Sequence, residues 1–134
     1  LESIKIPDSV TNISMLAFSS CGSLLTVTIP DGITAIERQT FANCTNLTSV
    51  AIPDSVTRID DGAFYNCRSL FAIKIPDGVT AIGEWAFSRC KRLITINIPD
   101  GLTSVGRIAF IECGKLNPEI RDTIERRFGK RAFK

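Results

Sequence analysis

Apolar side chains recur along this chain with a period of 23 residues, unbroken by insertion or deletion. The string Ile-Pro-Asp starts at Ile6, Ile29, Ile52, Ile75 and Ile98. Four further columns keep step: Thr11, Thr34, Thr57, Thr80 and Thr103; Phe18, Phe41, Phe64, Phe87 and Phe110; Cys21, Cys44, Cys67, Cys90 and Cys113; Leu24, Leu47, Leu70, Leu93 and Leu116. Within one period, Leu24, Val27 and Ile29 face one way while Thr26 and Thr28 face the other, which predicts a short half-buried strand. Proline ends it, having no N–H to give a neighbouring strand. Pro30-Asp31-Gly32 then predicts a tight turn, with the aspartate carboxylate taking nearby backbone N–H groups. Ile33 and Ile36 turn back inward, and residues 39–43 have the composition of one helical or 3₁₀ turn ahead of the cysteine.

A single coil of this kind cannot hide its own apolar groups. Stacked coils can, because strands about 4.8 Å apart place identical side chains in buried ladders. The pattern therefore predicts a solenoid of five repeats, a short right-handed coil with parallel strands: a partial repeat over 1–5, then 6–28, 29–51, 52–74, 75–97 and 98–120, the repeat pattern proper running to 116. Residues 117–134 read as a lid and a basic tail. Asn117 suits an N-cap, Pro118 the first helical position and Gly129 the position after the last. Ile120, Ile124 and Phe128 fall at i, i+4 and i+8, one apolar stripe that can lie on the final coil. Nothing comparable precedes Leu1, which falls inside a repeat. A processed protein or a piece of a longer array is expected. The first coil, with Leu1, Ile4 and Ile6, is expected to be an open edge able to pair with a second copy as a homodimer.

Composition refines this picture without changing it. A chain of 134 residues with 44% hydrophobic and 22% charged residues suits one folded domain. No apolar run approaches the roughly 20 residues that cross a bilayer, and no signal-like segment opens the chain. Net charge is +2, and residues 118–134 carry six basic against three acidic side chains, a local +3 that leaves −1 elsewhere. We read that tail as the solvated face of a terminal helix, not as a nucleic-acid or membrane footprint.

The absence of histidine removes Ser-His-Asp and Cys-His nucleophile pairs and every histidine-based metal site. Five cysteines in one apolar column read as buried, reduced hydrophobes, since a nucleophilic thiol needs a base or a cationic setting. The ladder Asp8, Asp31, Asp54, Asp77 and Asp100 supplies one carboxylate per coil, too few oxygens for calcium and already suited to turns. Glycine-rich phosphate loops are missing, and no pocket-forming segment surrounds any carboxylate pair. We expect no catalytic residue, metal or cofactor.

The pattern Cys-x-x-Leu-x-x-Val/Ile-x-Ile-Pro-x-x-Val/Ile-x-x-Ile…Ala-Phe-x-x-Cys, in five copies from Leu1 to about Leu116, resembles the BspA-like leucine-rich repeat, also seen in Treponema-type surface antigens. Thr40 stands where that pattern usually has alanine. The resemblance implies a leucine-rich-repeat solenoid and, since such proteins are commonly displayed on bacterial or protist cells, a surface or extracellular module for adhesion or host-protein binding.

Recognition falls to positions the core leaves free. Outward strand positions are Ser3 and Lys5, Thr26 and Thr28, Ser49 and Ala51, Ala72 and Lys74, Thr95 and Asn97. Beside them runs an apolar column outside the core, Leu25, Thr48, Phe71 and Ile94. On the turn side, Leu16, Trp85 and Ile108 form one column and Tyr65 and Ile111 belong to another. The expected protein contacts are Phe71, Lys74, Ile94 and Asn97, with Trp85 and Tyr65 as aromatic anchors or as fillers between coils. The competing reading is a structural spacer in a longer or regularised repeat array.

Overall fold

In the computed structural model, which describes residues 3–134, the chain winds into a three-sided solenoid. One side carries β1 (Ser3–Lys5), β2 (Thr26–Thr28), β4 (Ser49–Ala51), β6 (Ala72–Ile73) and β8 (Thr95–Ile96). A second carries β3 (Ala35–Ile36), β5 (Arg58–Ile59), β7 (Ala81–Ile82) and β9 (Ser104–Val105). Every pairing is parallel with a register of one period, as in Val27 opposite Val50 and Ile59 opposite Ile82. The expected leucine-rich-repeat solenoid is the observed architecture.

The second row of strands has no sequence signal of its own. Each is two residues long, too short to show alternation, and the i, i+3 spacing of Ile33 and Ile36 carries no strand period. Its pairing comes from stacking.

The third side is not helical, contrary to the composition of residues 39–43. It is a run of linked turns. Each coil there holds two left-handed residues: Leu16, Gln39, Gly62, Trp85 and Ile108 (φ 65, 53, 63, 45 and 50°) and Ser20, Asn43, Asn66, Arg89 and Glu112 (φ 63, 61, 59, 62 and 59°). An L-residue in that region costs roughly 1–2 kcal/mol, and no α-helix can run through it. What offsets the cost is hydrogen bonding. Thr40 and Ala42 donate within the coil, to Glu37 and Gln39, whereas Gln39, Phe41 and Asn43 donate to Asp61, Ala63 and Tyr65 of the next coil. Every N–H from Gln39 to Asn43 is paired, in a geometry that a helix does not offer.

The core is built of the expected ladders. Phe41, Phe64, Phe87 and Phe110 are fully buried, and successive rings stack at 5.3–5.5 Å from Phe18 to Phe110, within 10° of parallel. Thr40 is also buried, and its hydroxyl donates to the Glu37 carbonyl at 2.8 Å. Pro30 closes its turn by accepting the Ile33 N–H at 3.2 Å, and the equivalent bond recurs in each coil. Asp31 and its four counterparts stand exposed in solvent. The turn is closed by the proline carbonyl and not, as expected, through the carboxylate.

The lid forms as expected. Helix α1 (Pro118–Phe128) starts at Asn117, whose side chain accepts the Glu119 N–H at 2.9 Å, and Ile124 is fully buried beneath it. The tail beyond does more than solvate. Ala132 and Phe133 lie 23 residues after Ala109 and Phe110 and continue their columns. Their side chains are buried, and the carbonyls of Arg131 and Ala132 accept the N–H groups of Ile108 and Phe110 at 2.7 and 2.8 Å. The helix thus replaces the strands of a sixth coil, and the chain then rejoins the register. Arg127 fastens it by donating to the carbonyls of Pro99, Asp100 and Leu102.

At the other end, Phe18 and Cys21 are only partly buried, and Met15 and Leu16 are largely exposed. Ile4 is partly buried and Ile6 buried, while Leu1 lies outside the described residues.

Candidate protein-binding surface

The scaffold decides which side chains are free. Of the outward strand positions, Thr26 and Ala72 are half-buried and the rest are exposed. The column beside them stands out from the core: Phe71 is 51% exposed, Ile94 48% and Leu25 38%. Phe71 and Ile94 are neighbours one coil apart, joined by the Ile94 N–H donating to the Phe71 carbonyl at 2.9 Å. They line one depression of about 340 Å³ together with Thr48, Ser69, Arg92 and Lys115.

Lys74 and Asn97 do not share it. They line a neighbouring depression of about 450 Å³ with Val50, Ala72, Ile73 and Thr95. This lies where the first row of strands divides: β1, β2 and β4 form one sheet, β6 and β8 another, with no ladder between β4 and β6. Asn97 is committed to the scaffold. Its Oδ1 accepts the Ile75 N–H at 2.6 Å and its Nδ2 donates to the Ile75 carbonyl at 2.7 Å. The side chain thereby satisfies both backbone groups of a buried residue, which leaves Lys74 as the free polar group of the pair.

Tyr65 and Trp85 meet on the turn side, ring centroids 5.3 Å apart at 86°. Trp85 takes its left-handed backbone in the coil after Gly62, and a Cβ added at Gly62 would lie 3.5 Å from its ring. The Arg89 guanidinium lies 5.9 Å from the Tyr65 centroid and pairs with Glu112 at 2.9 Å. Both aromatic rings are half-buried in this cluster, fitted into the step between coils.

Sequence reading passed over the cations beside Phe71 and Ile94. They become visible only when the chain is folded at its own period. One column then reads Gly22, Thr45, Arg68, Lys91 and Gly114, and the next Ser23, Asn46, Ser69, Arg92 and Lys115. Charge starts where the exposed apolar column becomes bulky.

The thiols behave as core. Cys44, Cys67, Cys90 and Cys113 are buried, Cys21 half-buried, and all five are free. Each buried thiol donates to the phenylalanine carbonyl 26 residues earlier, at 3.0–3.2 Å. Burial raises their pKa values, Cys44 to about 11 and Cys113 to about 12, and it also pushes up Cys67 and Cys90, with the neighbouring thiols of the column adding to it. Thiols held protonated in this way make poor nucleophiles at neutral pH. Among the described residues no three His, Cys, Asp or Glu side chains gather to hold a metal ion, and no helix is long and apolar enough to cross a membrane.

No curated protein matches the chain in sequence. Among solved structures, a leucine-rich repeat protein of T. pallidum is 29% identical, with a TM-score of 0.82 over 85% of this chain and 56% of that one. One from Bacteroides ovatus is 38% identical, with a TM-score of 0.82 over 87% of this chain and 30% of that one. A leucine rich cell surface protein of Faecalibacterium prausnitzii is also 38% identical, with a TM-score of 0.70 over 87% and 38%. The chain thus spans between about a third and just over half the length of these proteins. The family described as the BspA type leucine rich repeat region matches residues 1–133 in six copies, one more than the strand pattern gives and in keeping with the rung at Phe133. The chain belongs to the BspA-type leucine-rich repeat family.

Proposed function

We propose that the domain is a non-enzymatic protein-binding module, displayed outside the cell, whose recognition surface is centred on Phe71 and Ile94. The observation that carries this reading is the exposure of these two large apolar side chains on adjacent coils, in a column the core does not use. A solvent-facing apolar pair costs solubility and adds nothing to the ladders beneath, so its use lies in a partner. Lys74, one step along the strands, supplies an orienting charge, and Asn97 contributes by holding that stretch of backbone in place. Support for surface display comes from the Faecalibacterium protein, described as a leucine rich cell surface protein.

The test is capture of extracellular proteins on the immobilised domain, with Phe71→Ala and Trp85→Ala as paired variants. Loss of the captured species with Phe71→Ala alone fits the reading, at a cost on the order of 2 kcal/mol. Loss with Trp85→Ala alone moves the surface to the turn side. Capture of nothing favours the spacer reading.

A further inference from the structure

Resting on that reading, we infer that the surface takes an acidic, extended segment of a partner protein: an apolar side chain of the segment packs between Phe71 and Ile94, and its carboxylates lie on Arg68, Lys91, Arg92 and Lys115. The argument starts from where the cations stand. Arg68 and Lys91 are one period apart, as are Arg92 and Lys115, so each pair occupies equivalent places on consecutive coils. All four are exposed. Arg92 and Lys115 line the same depression as the two apolar side chains. Earlier coils hold only Gly22, Ser23, Thr45 and Asn46 in these columns, so neither scaffold position requires charge.

These cations are also unspent. Ion pairs among the described residues engage Arg58, Arg89 and Arg121, and none of the four. Glu112, the acidic residue nearest to Lys115 along the chain, is held by Arg89. Stacking like charges on adjacent coils opposes folding through mutual repulsion. Among the described residues no carboxylate pairs with any of the four, so a negative charge from outside would relieve it. The polar groups on the floor are already satisfied: Ser69 donates to the Thr45 carbonyl at 2.7 Å and Thr48 to the Leu25 carbonyl at 3.1 Å. What remains for a ligand is therefore two apolar faces and the positive charges of Arg92 and Lys115, with Arg68 and Lys91 in the adjoining column.

That combination separates protein from other polyanions. A sulfated glycan or a nucleic-acid strand would use the charges and gain little from Phe71 and Ile94, whereas an acidic peptide with one large apolar residue uses both. An extended segment also matches the geometry, because the charges run along the stack of coils.

The probe is a short fluorescent peptide of glutamates around a central phenylalanine, titrated into the intact domain by anisotropy. Saturable binding is expected, weakening as salt rises, and falling at least tenfold for Phe71→Ala and for Arg92→Ala combined with Lys115→Ala. The exposed Arg126→Ala is expected to match the parent. Melting temperatures within a few degrees of the parent confirm that the variants fold. Equal binding by a peptide with lysines in place of glutamates overturns the acidic assignment and leaves the apolar anchor of the proposed function standing. Tighter binding of heparin or a single-stranded oligonucleotide, unaffected by Phe71→Ala, overturns it in favour of a polyanion surface. Binding of neither peptide overturns it outright, while the capture experiment still decides the broader reading.

Discussion

Phe133 packs against Phe110 at a centroid distance of 5.9 Å and a tilt of 32°, the one loosened step in an otherwise near-parallel stack of six rings. The tilt follows from its setting. Phe133 enters from a short 3₁₀ turn (Lys130–Ala132) and not from the linked turns of a full coil, and the Arg121 guanidinium lies 4.1 Å from its centroid on what would be the next rung. Phe133 is thus the end of the core. Phe133→Ala is expected to cost about 3 kcal/mol and to lower the melting temperature more than Phe128→Ala, whose ring is only half-buried. Thermal denaturation of the two variants decides between a cap made by the helix alone and one completed by the returning chain.

Alkaline pH is expected to unfold the protein through its thiols. In the unfolded chain they ionise near 9, whereas the folded values of Cys44 and Cys113 lie near 11 and 12. The folded state therefore holds more protons once pH passes 9. The stability due to each thiol is complete below that point and is lost as pH rises through the folded value, with a slope of up to about 1.4 kcal/mol per pH unit. Melting temperatures at pH 8 and pH 10.5 measure it, and Cys44→Ala should show a smaller drop between the two than the parent. In the folded state at neutral pH, a thiol reagent should label half-buried Cys21 first and the other four only on unfolding.

Gly106 is required by a close approach of two coils. A Cβ there would sit 2.3 Å from the Glu84 nitrogen and 2.5 Å from the Gly83 carbonyl carbon, and neither can move without disturbing β7 and its neighbours. Gly106→Ala is expected to cost about 1–3 kcal/mol. Gly114→Ala, with nothing within 4 Å, is the matched control and should be close to neutral. Chemical denaturation midpoints give the comparison.

Asn97→Ala strips the Ile75 backbone of both partners, which predicts a loss of about 1–3 kcal/mol. Amide exchange should quicken at Ile75 and hardly at Ile29, whose N–H is held by the Ala51 carbonyl at 3.1 Å. If stability and exchange are both unchanged, the side chain is free after all and returns to the list of direct contacts.

Most of the scaffold could be read from the sequence because a stacked fold writes itself at one period. Ile-Pro-Asp, the phenylalanines and the cysteines each mark a ladder, and Asn117, Pro118 and Gly129 bracket the lid. Three things were hidden. The strand at Ala35–Ile36 and its counterparts exists only through its neighbours. The left-handed positions hold glycine or asparagine only at Gly62, Asn43 and Asn66, and otherwise accept leucine, glutamine, tryptophan, isoleucine, serine, arginine and glutamate, so no one residue type announces them. And Ala132-Phe133 reads as an ordinary tail unless the period is carried across the helix. At the surface the exposed column was legible as apolar residues outside the core ladders. Its cations were not, because Arg92 and Phe71 lie 21 residues apart in sequence and meet only across coils. Asn97 looked like a free amide for the same reason, its partner being on the preceding coil.

The turns on the third side also give that side of the solenoid an electrical direction. All fourteen backbone bonds between coils on that side run one way, from an N–H of the earlier coil to a carbonyl of the later one, from Leu16 and Arg38 through to Phe110 and Ala132. Many bonds between coils on the strand sides, such as Thr80 N–H to the Thr57 carbonyl and Gly106 N–H to the Ile82 carbonyl, run the other way. On the third side, peptide units of about 3.5 D aligned in one sense add along the stacking axis as they do in an α-helix. The first coil accordingly offers a row of acceptors, the carbonyls of Met15, Ala17 and Ser19 at the positions of Arg38, Thr40 and Ala42. An added coil whose N–H groups point the same way completes that row. On this side two such coils set face to face would oppose acceptor to acceptor, whereas coils stacked head to tail pair each acceptor with a donor.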